Sequence, residues 1–162
     1  MKFEHLWGDI FLNYKKKSMI SILENTELFS NISMFYLKQL SKIFHERSYQ
    51  KNETVFEIGE PGESVYIIKS GSVTISNKTK KEAVTLTAGA FFGELSLVDE
   101  NPRTVTATAT ESTELIVFFR ADLMHLKSRN PQLAVKLFYN LANILGKRIS
   151  LISANKSSIY DS

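Results

Sequence analysis

The sequence predicts an α+β fold from two kinds of pattern. Apolar residues recur at helical spacing near both ends of the chain. Between about Phe44 and Phe119 the chain instead breaks into short β-rich runs, divided by Asn52, Gly59, Pro61-Gly62, Gly71, Asn77 and Gly89. Several short strands at this spacing suggest a sandwich or a jelly-roll barrel. A length of 162 residues fits one domain, and 43% hydrophobic residues are enough for its core.

Phe3, Leu6, Trp7, Ile10, Phe11 and Tyr14 form one apolar stripe, so 1–18 is read as an amphipathic helix. It packs on its own domain or makes an oligomer contact; Lys15, Lys16 and Lys17 leave a membrane-surface anchor as the alternative. The main domain is expected over 19–155. A second helical pattern covers Met19 to Leu23, and after a turn at Thr26 to Ser30 a third runs through Leu37, Leu40 and Ile43, with Ser33 as N-cap. In the β-rich region Val73/Ile75 and Val84/Leu86 alternate with polar residues, and Ser76 to Glu82 reads as the hairpin joining them. Lys78, Lys80 and Lys81 are a solvated tip rather than a nucleic-acid patch, because no aromatic residue interleaves them for base stacking.

Helix returns after Phe119. A short segment, Asp122 to Arg129, is stopped by Asn130-Pro131. A longer amphipathic helix then carries Leu133, Leu137, Phe138, Leu141, Ile144, Leu145, Ile149 and Ile152. Gly146 weakens it locally by about 1 kcal/mol relative to alanine. The polar end from Ser153, and 156–162 in particular, is expected to fray.

The stretch that carries chemistry is FFGELSLVDENPRTVTA, Phe91 to Ala107. Gly93 lets the backbone approach a ligand closely. A short helical turn at Glu94 to Val98 opens with amides suited to an anion. Arg103 adds a permanent cation whose fork matches phosphate oxygens. Glu94 would repel an anion unless it accepts hydrogen bonds, and a sugar hydroxyl is a natural donor. Acid, turn, bend and arginine together read as a sugar-phosphate site; the alternative is a surface loop in which Glu94 and Arg103 pair with each other.

Other classes are disfavoured. The absence of cysteine excludes disulfides, thiolate metal sites and cysteine nucleophiles, and fits a reducing, cytoplasmic setting. His5, His45 and His125 are scattered, and no Ser/His/Asp set stands at recognisable spacing, so an enzyme is not expected. No apolar run reaches the ~18–20 residues of a membrane span. Glu4 and Asp9 interrupt the first apolar stretch and make it a poor signal peptide. A net charge of +3 does not by itself imply nucleic acid.

The motif FGELSL…NPRTVTATA resembles the phosphate-binding cassette of the cyclic nucleotide-binding domain family. That module occurs in cAMP-dependent protein kinase regulatory subunits, cyclic nucleotide-gated channels and bacterial catabolite activator proteins. GEPGESVYIIKSGSV, Gly59 to Val73, is similar to the family's glycine-punctuated strand pair, and the resemblance runs from about Leu23 to Leu151. It implies an eight-stranded jelly-roll β-barrel with flanking N-terminal helices and two C-terminal helices. It also implies roles. Glu94 would accept the ribose 2′-hydroxyl, and Arg103 would grip the cyclic phosphate. Backbone groups of Gly93, Leu95, Ser96 and Thr104 would line ribose and phosphate. Glu63 stands where family members more often have Asp, and would brace the arginine. Val84 and Leu86 would wall the purine; Leu141, Ile144 and Leu145 would form the lid face, or alternatively a dimer seam or core stripe.

The function this implies is a stand-alone, non-enzymatic sensor of cAMP, or alternatively cGMP, with no further cofactor or metal. A hydroxyl residue after the arginine, here Thr104, favours cGMP in some members, whereas analogy with single bacterial modules favours cAMP. Binding would move the C-terminal helix and be read by a protein partner or a second protomer. The alternatives are a ligand-binding fragment of a larger regulator and a degenerate scaffold that binds nothing. A transcription regulator would need a helix-turn-helix domain after the long helix, about where the chain ends. Arg103→Ala is expected to spare the fold while weakening binding.

Overall fold

The computed structural model describes residues 19–77 and 83–160, with side chains through residue 150. The stripe of 1–18, the tip lysines Lys78, Lys80 and Lys81, and residues 161–162 lie outside the described residues.

The strands are β1 (His45–Tyr49), β2 (Thr54–Phe56), β3 (Ser64–Ser70), β4 (Ser72–Ser76), β5 (Ala83–Thr87), β6 (Phe91–Phe92), β7 (Thr106–Ala109) and β8 (Thr113–Phe119). They make two four-stranded sheets, β1-β8-β3-β6 and β2-β7-β4-β5, and every pairing is antiparallel. This interleaving is that of a double-sheet jelly roll. Among the described residues, strand pairing does not close the barrel expected from the resemblance. Edge strands as short as β2 and β6 offer few groups for further pairing, and side chains join the sheets instead.

Alternation along the strands explains that join. On β3, Tyr66 and Ile68 face the second sheet, where they meet Phe56, Val73, Ala107 and Ala109. Val65 and Ile67, the intervening residues, face the helices. Leu115/Val117 and Ile116/Phe118 divide β8 in the same way. A strand covered on both faces must be apolar throughout, as VYII and LIVFF are. The expected hairpin is present: β4 pairs with β5 in the register Val73↔Leu86 and Ile75↔Val84.

The helices are α1 (19–24), α2 (Met34–Leu40), α3 (Arg120–Arg129) and α4 (Pro131–Tyr160), with a 3₁₀ turn at Glu27–Phe29 between α1 and α2. Ser33 occupies the N-cap of α2 but makes no side-chain capping bond, and the helix ends before Ile43. Asn130 ends α3, and its side-chain Oδ1 accepts the Leu133 amide at 3.2 Å. With Pro131 opening the next helix, one dipeptide both stops α3 and starts α4. Leu133, Leu137, Leu141 and Ile144 of α4 pack with Leu23, Leu28, Phe29, Leu37 and Leu40 beneath the first sheet. Buried Asn140 pins this layer, its Nδ2 donating to Leu28 O at 3.0 Å and Ser30 O at 2.9 Å. The backbone of α4 stays helical through Tyr160, beyond the point where the sequence predicts a polar tail. Among the described residues, no helix is long and apolar enough to cross a membrane.

Candidate functional site

The cassette leaves β6 at Gly93, whose φ of +77° lies in the left-handed region. A Cβ here would stand 2.8 Å from Arg103 Nη1 and 3.2 Å from Ser64 O, so glycine answers both the turn and the close approach. Glu94–Leu97 then forms a single 3₁₀ turn, with the Ser96 amide donating to Gly93 O at 3.2 Å. The bend that follows is held by Asp99, which accepts the Asn101 amide at 2.9 Å and its Nδ2 at 2.6 Å. Those bonds keep the Asp99 carboxyl below the usual carboxylate range.

The chain returns at Arg103, where the two motifs meet directly. Its amide donates to Glu60 O and its carbonyl accepts from the Gly59 amide, both at 2.8 Å. The glycine-rich loop therefore fixes the backbone from which the arginine projects. The side chain is 7% exposed. Nη1 donates to Ser96 Oγ at 2.6 Å and to Gly93 O at 3.3 Å, and Nη2 donates to Ser64 O at 2.8 Å. Cζ sits 4.1 Å from the centre of the Phe56 ring. Nε is buried and has no acceptor among the described residues. Burial pulls the guanidinium below its ordinary pKa, opposed by Tyr66, Glu60 and Glu63.

Glu94 and Arg103 do not pair with each other, contrary to the surface-loop alternative. Arg103 takes neutral oxygens, while buried Glu94 pairs with Arg148 of α4. The Arg148 guanidinium also lies 5.3 Å from the centre of the Phe91 ring.

These residues border a cleft of about 480 Å³. Gly93, Glu94, Leu95, Ser96, Arg103 and Thr104 all line it, as do Val84 and Leu86 from β5. Ile75, the cross-strand partner of Val84, extends that apolar wall. Glu63 does not reach the cleft. It is exposed, borders a smaller cavity behind Arg103, and makes no ion pair with it among the described residues. Glu63 acts on the guanidinium as a nearby charge that favours its cationic form, and the hydrogen bond comes from its neighbour Ser64 through Ser64 O. The lid residues are also elsewhere: Leu141 and Ile144 are 2% and 3% exposed in the helical core, Leu145 packs against that core, and none lines the cleft. Among the described side chains of α4, the one that does is Arg148, four positions after Ile144 on the same helix face. Sequence reasoning missed it; an arginine continuing the apolar row of Leu141 and Ile144 was the available signal. Phe56, which carries the Arg103 stack, left no such signal because its strand is remote in sequence.

The site thus offers a buried cation with a donor to spare, a buried carboxylate and an apolar wall. Comparison with known proteins shows the family. A family model described as the cyclic nucleotide-binding domain matches residues 46–130, just over half of the chain. The cyclic AMP receptor protein of Thermus thermophilus is 30% identical over 78% of this chain and 59% of its own length. The cAMP-dependent protein kinase regulatory subunit of Schizosaccharomyces pombe is 29% identical over 67% of this chain and 27% of its own. The crystal structure of the Thermus thermophilus catabolite activator protein superposes with a TM-score of 0.72 at 28% identity, covering 83% of this chain and 63% of that one. The chain therefore spans less than two thirds of the length of each of these relatives. On the match to its central strands and cassette, this chain belongs to the cyclic nucleotide-binding domain family.

Proposed function

We propose that the cleft binds a cyclic nucleotide and that the chain acts as a non-enzymatic sensor. One observation carries the reading: buried Arg103 borders a ligand-sized cleft, donates to neutral oxygens, and keeps a buried Nε–H without an acceptor among the described residues. A buried cation held only by neutral oxygens is unfavourable until an anion joins it. A cyclic phosphate supplies one negative charge and acceptors for the guanidinium donors. The ribose 2′-hydroxyl then donates to Glu94, Gly93 to Ser96 and Thr104 line sugar and phosphate, and the purine lies on Val84, Leu86 and Ile75. cAMP is the preferred ligand, by likeness to the cyclic AMP receptor protein and the cAMP-dependent kinase subunit. Thr104 is the residue through which cGMP would compete.

Binding is relayed through α4 to a protein partner or a second protomer. Leu141, Ile144 and Leu145 are committed to the core in this arrangement, so a lid function for them would require that layer to repack. Ligand can shift such an equilibrium only by its differential affinity for the two arrangements. The test is calorimetric titration of the purified chain with cAMP and, separately, cGMP. Saturable binding of at least one is expected. Absence of heat with both would overturn the proposal in favour of a scaffold that keeps the fold and binds nothing.

A further inference from the structure

We propose that the side-chain hydroxyl of Ser96 is a second donor to the bound anion, polarised by Arg103 and kept in place by Gly62. The proposal rests on the cyclic nucleotide reading of the cleft and names how the site divides the two exocyclic oxygens of the phosphate.

The donors of Arg103 lead to it. A guanidinium has five N–H groups. Nη1 donates to Ser96 Oγ at 2.6 Å and Gly93 O at 3.3 Å, and Nη2 donates to Ser64 O at 2.8 Å and Ser64 Oγ at 3.3 Å. Those four contacts leave Nε–H, which is buried without an acceptor among the described residues. One N–H serves one oxygen of the anion. A two-pronged grip would take Arg103 away from the backbone and hydroxyl oxygens that hold it, so the second oxygen calls for a different donor.

Ser96 has one to give. Its amide is committed inside the 3₁₀ turn, donating to Gly93 O at 3.2 Å, which leaves the side chain. A hydroxyl carries one proton and two lone pairs. A lone pair of Ser96 Oγ takes Nη1, and its proton has no acceptor among the described residues. Ser96 is 5% exposed and, like Arg103, lines the cleft. Accepting from a cation polarises the O–H bond and strengthens it as a donor.

Gly62 fixes where that hydroxyl sits. A Cβ at position 62 would stand 2.5 Å from Ser96 Oγ and 3.3 Å from Ser96 Cβ. The φ of Gly62 is not positive, so space rather than backbone conformation calls for glycine here. The glycine-rich loop thus leaves Oγ its place against Nη1. The cyclic phosphate then meets Arg103 Nε–H through one exocyclic oxygen and the Ser96 hydroxyl through the other.

The test titrates wild type, Ser96→Ala and Gly62→Ala with cAMP and with each diastereomer of its phosphorothioate, in which sulfur, a weak acceptor, replaces one exocyclic oxygen or the other. Thermal unfolding without ligand checks that each variant is folded. Ser96→Ala should weaken cAMP binding by about tenfold, the scale of a hydrogen bond to a charged group. One diastereomer should share that loss. The other should be nearly unaffected, because its sulfur already occupies the position that Ser96 serves. Gly62→Ala should reproduce the pattern by displacing Oγ. Unchanged or tighter cAMP binding in Ser96→Ala would overturn the proposal, the hydroxyl then serving to satisfy Arg103 alone. Equal losses for cAMP and both diastereomers would overturn it as well, making Ser96 structural. Wild-type affinities in Gly62→Ala would refute the part given to Gly62. If wild type binds none of the three ligands, the nucleotide reading fails and this inference with it; if wild type binds and the variants depart from the pattern, this inference fails alone.

Discussion

Arg103→Ala removes a group with two duties, and the structure changes what that substitution should do. From sequence it is expected to spare the fold. In the folded chain, however, the guanidinium bridges Ser96 Oγ, Gly93 O and Ser64 O while lying on Phe56. The two short bonds are worth about 1 kcal/mol each, and the stack adds about 0.5–1 kcal/mol. Relief of the buried charge offsets part of this. The net loss is then about 2 kcal/mol, which for a chain of this size lowers Tm by about 4–8 °C. Thermal and urea unfolding without ligand measure that change. Titration well below the transition should then show cAMP affinity reduced by about a hundredfold or more, as when one partner of a buried charge pair is removed. An unchanged Tm would refute the structural duty; a lowered Tm with unchanged affinity would refute Arg103 as the anion's partner.

Gly93→Ala combines left-handed backbone strain of about 1–2 kcal/mol with a Cβ 2.8 Å from Arg103 Nη1. Gly89→Ala is its control, because φ there is +88° but nothing lies within 4 Å. Urea unfolding should show Gly93→Ala to be the more destabilised, and titration should show weakened cAMP binding in it alone. Leu141→Ala, at a residue 2% exposed, should cost about 2–5 kcal/mol in urea unfolding. A loss below about 1 kcal/mol accompanied by altered affinity would restore Leu141 to the lid.

What the sequence made legible was local. The cassette residues, the hairpin of β4 and β5 and the Asn130-Pro131 boundary follow from turn chemistry, alternation and capping over short spans. What it left open is tertiary. The same 3.6-residue row marks a helix face for Leu141 and Ile144 whether it covers a ligand or a core, and only packing against Leu23, Leu28 and Phe29 decides. Glu63 was assigned to Arg103 by position; in the fold it acts as a nearby charge, and the hydrogen bond is made by the Ser64 carbonyl, which any residue type could supply. Arg148 lies 54 residues from Glu94, a separation no local pattern spans.

The central claim is that the cleft takes its ligand's anion on Arg103. The most direct measurement follows the side-chain Nε–H resonance of Arg103, with the amides of 93–96, by NMR during cAMP titration of isotope-labelled protein. That donor is buried without an acceptor among the described residues. The account predicts that its resonance moves and saturates together with the cassette amides. Saturable cAMP binding that leaves the Arg103 resonance unmoved would contradict it.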